Sequence, residues 1–220
     1  MTDDTAPQAG TGRAGGILLL VAMIASLALL ALHPGGTAAD FAGVLKDEAA
    51  NQGLNALVHG GFIAVLMVQI VGYAVFASRL DLRRVTPLAG LVFFIAGVAF
   101  LSASLLCDGL IIPALAAKYT SVPAKIEFAR TLFVLCETAI RFLMPMGLAF
   151  QAAGVACWGA ALLRERSRWA GVAGTLLGLG VLAALAMSIT GLNGLAVMGS
   201  LAALTLWGFV ASSLLIRRTV

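Results

Sequence analysis

The chain has 220 residues, of which 61% are hydrophobic and 11% charged, with a formal net charge of +4 and a mean hydropathy of +1.03. This composition excludes an ordinary soluble domain and indicates an integral membrane protein. The modest positive charge is read as membrane topology and contact with anionic lipid, and it gives no support to nucleic-acid binding.

In chain order, apolar segments of roughly 20 residues, each long enough to cross a bilayer, recur between charged or turn residues. They cover residues 14–32, 55–78, 85–107, 142–163, 169–190 and 195–216. The runs are continuous, whereas lipid-exposed strands would alternate, so a β-barrel is excluded. The expected fold is all-α: a polytopic six-transmembrane-helix bundle in the lipid bilayer, forming one membrane domain over residues 14–220. Residues 1–13 have little to bury and read as a disordered cytoplasmic tail. The first segment exceeds a secretory h-region in length, and Asp3 and Asp4 offset Arg13, so it reads as a span and not as a signal peptide.

Basic residues set the expected orientation. Arg13, Arg79, Arg83, Arg84, Arg164, Arg166, Arg168, Arg217 and Arg218 fall on one side; Lys46, Lys118, Lys125 and Arg130 fall on the other, with Arg141 at a helix end. The larger set belongs inside, which predicts a multi-pass protein of the cell (inner) membrane with both termini cytoplasmic.

The first outer loop, residues 33–54, places Phe41, Val44 and Leu45 at helical spacing opposite Lys46, Asp47 and Glu48, the pattern of a short interfacial helix. The second, residues 108–141, mixes apolar and charged residues and is expected to lie across the surface as short helices. Ser121 and Pro123 there resemble a helix start, and Pro145 marks a site for a kink in the fourth span. The fifth and sixth spans are joined by a GLNG turn, and Gly174 with Gly178 permits close packing, more simply within one protomer than between two.

Two polar stripes stand out. Asn55, His59, Gln69 and Tyr73 share one face of the second span. Glu137, Arg141 and Gln151 repeat the spacing of Asn55, His59 and Gln69 on the parallel fourth helix. Each glutamine then lies about 15 Å below His59 or Arg141, near the midplane, where the two amides could make an interhelical hydrogen bond or line a polar path. A polar stripe on a lipid-length helix belongs inside a bundle, because an unpaired polar group in hydrocarbon is costly. The two helices are therefore expected to face each other, with His59 near Glu137 or Arg141. The rising spans end in HPGG, CDGL and LNGL, so a triplicated hairpin and chance similarity both remain open.

One polar layer collects His33, Asn55, His59, Cys107, Asp108, Glu137 and Arg141 at the outer helix ends. Ionisable groups there suggest an outward-facing vestibule, walled by the first four spans, that binds a small ligand, a lipid headgroup or a membrane partner protein and extends toward a small-solute path. Structural alternatives are a Glu137–Arg141 pair that only neutralises itself and histidines that cap helices or pair with Asp108 or Glu137. His33 and His59 also suggest haem b or a metal, with Cys107 as a further metal ligand. The HPGG stretch with a second histidine 26 residues later resembles the haem-binding segment of cytochrome b5, a resemblance that implies two axial haem ligands. Cys107 and Cys136 share the outer side and are read as free thiols, with a bridge as the alternative. HExxH, GxSxG, P-loop and CxxC motifs are absent from the sequence, which weighs against hydrolase, nucleotide and thiol-redox enzymes. The leading expectation is a non-enzymatic ligand-binding membrane protein, and the alternative is a redox subunit.

Overall fold

A computed structural model describes residues 5–35, 38, 40–165, 167–187 and 194–217. Gly191, Leu192 and Asn193 of the GLNG turn, residues 188–190 of the fifth expected span, Arg166, Arg218 and the first four residues lie outside that set. Among the described residues there is no strand, and the elements are α1 (Thr5–Ala31), α2 (Phe41–Ala50), α3 (Gln52–Arg79), α4 (Val85–Leu106), a π turn (Cys107–Ile111), α5 (Ile112–Tyr119), a 3-10 turn (Pro123–Lys125), α6 (Ile126–Leu162), α7 (Arg168–Met187) and α8 (Gly194–Arg217). Six helical stretches are long and apolar enough to cross a membrane. Large apolar side chains such as Leu57, Val71, Val92, Leu176 and Leu206 point outward along them, the surface a lipid environment requires. This is an all-α, multi-pass membrane protein.

Two boundaries differ from expectation. Residues 5–13 continue α1 and do not form a disordered tail. The loop expected over 108–141 is helical almost throughout: the third span runs on through the π turn to Tyr119, and α6 begins at Ile126, 16 residues before the expected 142. CDGL, expected as a glycine stop, instead lies within the π turn. Asp108, Glu127 and Arg130 lower the hydropathy of these segments without breaking the backbone ladder, so an apolar window underestimates the helices.

The chain forms two compact units. The first comprises Met1–Ile24, Leu66–Ala99 and Pro145–Val220. Its core is aromatic: Tyr73 stacks on Trp158 at 4.8 Å between centroids and meets Phe94 at 4.4 Å, while Phe76 stands edge-on to both Trp158 and Trp207. Trp158 Nε1 donates to the Pro87 carbonyl at 3.2 Å. Glycines let the helices approach: a Cβ on Gly97 would lie 2.6 Å from the Gly147 oxygen, and one on Gly154 would lie 2.8 Å from the Gly90 oxygen. Gly174 and Gly178 are likewise occupied, against Trp207 and Gly159 and against Ala152 and Ala156, so this small-residue pair packs inside the protomer. In the turn between α3 and α4, Asp81 adopts φ 67°, accessible to Asp through local hydrogen bonding, and accepts from the Arg83 amide at 3.1 Å.

The second unit comprises Ala25–Val65 and Phe100–Met144. Asp40 caps α2 by accepting from the Gly43 amide at 2.7 Å, which satisfies one of the orphan donors of a helix start. α2 packs on α5, and Leu45 of α2 joins Ile112, Ala116 and Tyr119 of α5 and Ala129 and Phe133 of α6 in one core. Thr120 Oγ1 donates to the Leu45 carbonyl at 3.1 Å, and Phe41 stands edge-on to Phe133. α2 is thus a packed element of this unit, with one face covered by protein.

Candidate functional site

The second unit gathers a polar network around His59. Asn51 closes α2 by donating from its side chain to the Asp47 carbonyl at 3.0 Å, and α3 starts at once. That abrupt turn places Glu48 beside the first turn of α3, where Asn55 Nδ2 donates to Glu48 Oε2 at 2.9 Å. One turn further, His59 is 2% exposed. Its Nδ1 lies 3.0 Å from the Asn55 carbonyl oxygen, and its Nε2 lies 3.1 Å from Asp108 Oδ2. Asp108 belongs to the π turn. The next residue is Gly109, where an added Cβ would fall on the His59 imidazole. The π turn, which carries one residue more than an α turn and recurs at functional sites, thus presents a carboxylate and a bare backbone to the same ring.

The two contacts of His59 constrain its protons. A carbonyl oxygen only accepts, so Nδ1 carries a hydrogen, and the neutral ring then has its lone pair on Nε2. That lone pair faces an oxygen of Asp108. The arrangement is satisfied when a cation lies between Nε2 and the carboxylate, either as a proton or as a metal ion.

His33 supplies a second imidazole. It follows the end of α1, its Nδ1 lies 3.0 Å from the Pro34 carbonyl, and its ring stands edge-on to His59 at 5.0 Å between centroids. Here too the carbonyl fixes a hydrogen on Nδ1 and frees Nε2. Orienting a ligand histidine through the N–H of its other nitrogen is the usual outer-shell device of metal sites. One ligand atom from each of His33, His59 and Asp108 lies within 4.8 Å of the others. Tetrahedral ligation at about 2.1 Å spaces donors about 3.4 Å apart, so closure needs an inward movement of up to about 1.4 Å. His33 is exposed and outside a helix, so it is the ligand free to make that movement.

Charge adds to the case. Glu48 is half-buried, and its carboxyl is held above the usual carboxylate range by burial first and by the nearby Asp108 second, against the lowering effects of His59 and the Asn55 hydrogen bond. Among the described residues, no lysine or arginine pairs with Glu48 or Asp108. Two carboxylates beside two imidazoles therefore lack a fixed cation.

The expected vestibule residues separate into two groups. His33, Asn55, His59 and Asp108 come together. Glu137 and Arg141 are exposed and make no ion pair among the described residues, so the expected contact of His59 with either of them gives way to Asp108 and His33. Equal spacing on two helices specifies depth, and the neighbour each face meets is set by packing. Cys107, expected as a metal ligand, lies outside the His33–His59–Asp108 group. Cys107 and Cys136 are free thiols.

Gln69 and Gln151 are buried in the first unit. Gln151 packs against Gly97 of α4, and its Nε2 is buried without a hydrogen-bond partner among the described residues. That donor does not make the mid-depth bond expected between the two amides. α3 and α6 do meet within this unit, through Tyr73 on Trp158.

The ring geometry can be set beside that of a bis-histidine haem, the expected alternative. Axial nitrogens on opposite sides of an iron are about 4 Å apart and their ring centroids about 6 Å apart, with a porphyrin between them. The His33 and His59 rings stand edge-on at 5.0 Å between centroids, about 1 Å closer than that spacing.

Glu48 is the participant the sequence reading missed. It was grouped with Lys46 and Asp47, yet 41, 44, 45 and 48 are spaced i, i+3, i+4 and i+7, which puts Glu48 on the apolar, inward face of α2. Comparison of the chain with known protein families, with curated proteins and with solved structures finds no match.

Proposed function

We propose that this multi-pass membrane protein binds a divalent transition-metal cation, with zinc as the type case, through His33, His59 and Asp108, and with Glu48 as a neighbouring carboxylate. The observation that carries this reading is the pair of backbone carbonyls that accept from Nδ1 of both histidines, leaving Nε2 of His59 against the Asp108 carboxylate, which no lysine or arginine pairs with among the described residues. Imidazole and carboxylate donors suit zinc and its first-row neighbours. The ligand-binding vestibule expected across four helix ends narrows in this reading to a cation site, and the small ligand becomes a metal ion. Three protein ligands leave a position open for water, an exchanging ligand or a partner group. The arginine distribution supports both termini on the cytoplasmic side of a cell membrane, with the site facing outward. No hydrolytic or redox step is assigned to it.

Titration of the purified protein with Co2+, followed by its ligand-field absorption and by competition with Zn2+, tests the reading. Saturable binding at one ion per chain is expected, with affinity falling at least about 100-fold in His59→Ala and in Asp108→Asn, in line with loss of a direct ligand where outer-shell losses cost 10- to 100-fold. Absence of saturable binding in the parent, or equal binding in both variants at matched thermal stability, overturns it.

A further inference from the structure

The last two turns of α8 carry a stripe that changes character along its length. Phe209, Val210, Ser213, Leu214 and Arg217 are spaced i, i+1, i+4, i+5 and i+8, which places them on one helix face. Together with Trp169, in the first turn of α7, they line a groove of about 330 Å3. α7 packs against α8, and the whole groove belongs to the first unit. It is apolar over Phe209, Val210 and Leu214 and ends in a hydroxyl and a guanidinium. From Phe209 to Arg217 the helix rises about 12 Å, close to the depth of one hydrocarbon leaflet. Trp169 is 63% exposed at the start of a span, where indole rings mark the boundary between membrane and water.

A cation in a last helical turn is favoured by the helix dipole alone, and it is the setting of Arg217 that asks for more. Arg84, in the same unit, is held by Glu165 at 2.8 Å. Arg217 makes no ion pair among the described residues, and no acidic residue among them lines the groove. We infer that the groove between α7 and α8 is a binding site for an anionic phospholipid, with its acyl chains along Phe209, Val210 and Leu214 and its phosphate at Arg217 and the Ser213 hydroxyl. An apolar seat that ends in a cation complements a molecule with chain and charge in that order. A zwitterionic headgroup brings its own cation and gains less from Arg217, and a free anion leaves the apolar seat unfilled. None of these residues belongs to the His33–His59–Asp108 group, so this site stands independently of the metal reading.

The groove has a natural reporter. The chain has three tryptophans, and Trp158 and Trp207 are buried while Trp169 is exposed. The full-length protein is reconstituted in phosphatidylcholine vesicles, and its fluorescence is followed as phosphatidylglycerol or phosphatidylcholine with brominated acyl chains replaces the unlabelled lipid. Half-maximal quenching is expected at an about fivefold lower mole fraction of the brominated phosphatidylglycerol, the scale of one arginine acting on anionic lipid, and Trp169→Phe is expected to remove the signal. Arg217→Gln should equalise the two lipids, and Arg217→Lys should keep the preference. Ser213→Leu fills the groove with a side chain that lipid tolerates and leaves the guanidinium in place, so it too should lose the preference. Arg83→Gln removes the same charge from an exposed position outside the groove and should not.

Thermal unfolding in detergent checks that each variant is folded, and where Arg217→Gln melts early, Ser213→Leu decides. Equal quenching by the two lipids in the parent overturns the inference and makes the groove an ordinary lipid contact. Equal loss of preference in Arg83→Gln also overturns it, because the preference then comes from diffuse surface charge. Relief of quenching by inorganic phosphate would turn the groove into a free-anion site, and absence of Trp169 quenching by either lipid would mean that protein covers it; each of these results overturns the lipid assignment.

Discussion

The two units of this protein are built from the same kind of helix, and α1, α3, α4 and α6 each contribute to both, yet their polar residues behave differently. In the first unit, glycine-mediated approach and stacked rings fill the space, and its buried polar atoms stand apart: Gln151 Nε2 and Trp207 Nε1 have no hydrogen-bond partner among the described residues, and Ser212 Oγ donates to the Gly16 backbone. In the second unit, Ser102 Oγ and Ser104 Oγ are likewise buried without a partner among the described residues, but Glu48, Asn55, His59 and Asp108 bond to one another in sequence. Burial of polar groups in an apolar setting costs several kcal/mol unless they are satisfied. The first unit spends such groups on individual helix contacts, while the second gathers four of them into one network. Concentration in one place, around carboxylates that no lysine or arginine pairs with among the described residues, is what distinguishes a binding site from packing.

That contrast can be broken at either end. Trp158→Ala removes the central ring of the first unit and is expected to cost about 3–5 kcal/mol of stability, measured by denaturant unfolding in detergent, with the Co2+ affinity of the folded protein unchanged. An affinity loss as large as that of His59→Ala would mean that the two regions are not separable. Gly109→Ala acts on the other region: its methyl falls on the His59 ring, so Co2+ affinity should drop by about 100-fold, or about 2.7 kcal/mol. A variant at Gly60, where an added Cβ meets nothing within 4 Å, serves as the control. Asn55→Ala releases Glu48 and leaves the backbone carbonyl that orients His59, so a loss of about 3- to 10-fold is expected; full loss would make the amide itself a ligand.

The smallest effect concerns Glu48→Gln in the metal-free protein. A carboxyl whose folded pKa is raised above its unfolded value of 4.5 destabilises the fold progressively as pH rises through that window, because the folded state binds more protons there. The glutamine variant escapes this penalty. Its Tm should exceed that of the parent by about 2 °C or less at neutral pH, and the gain should vanish below about pH 4. A gain that persists in acid would trace to packing and not to charge.

The six membrane-crossing helices were legible because apolar run length is a one-dimensional property. Burial of Asn55, His59, Gln69 and Tyr73 was legible for the same kind of reason, since a shared helical face needs only spacing. The partner of that face was not. Glu137 and Arg141 matched His59 in depth, but Asp108 reached it through a local widening of the helix that no hydropathy window registers. Gly109 was equally hidden, because its role is to be absent beside a ring 50 residues earlier in the chain. Glu48 was available in the i, i+3, i+4, i+7 pattern of α2, and was obscured by the charged neighbours Lys46 and Asp47.

The π turn also sets the angular phase of everything that follows it. Each residue advances a helix by about 100°, so the extra residue within Cys107–Ile111 rotates the whole of Ile112–Tyr119 relative to a plain continuation of α4. That offset is what aims Ile112 and Ala116 at Leu45 while Asp108 is aimed at His59. Removal of one residue from this turn would straighten the helix and turn both faces away from their targets at once. The cation site and the hydrophobic seat of α2 are therefore consequences of a single insertion in the helical screw.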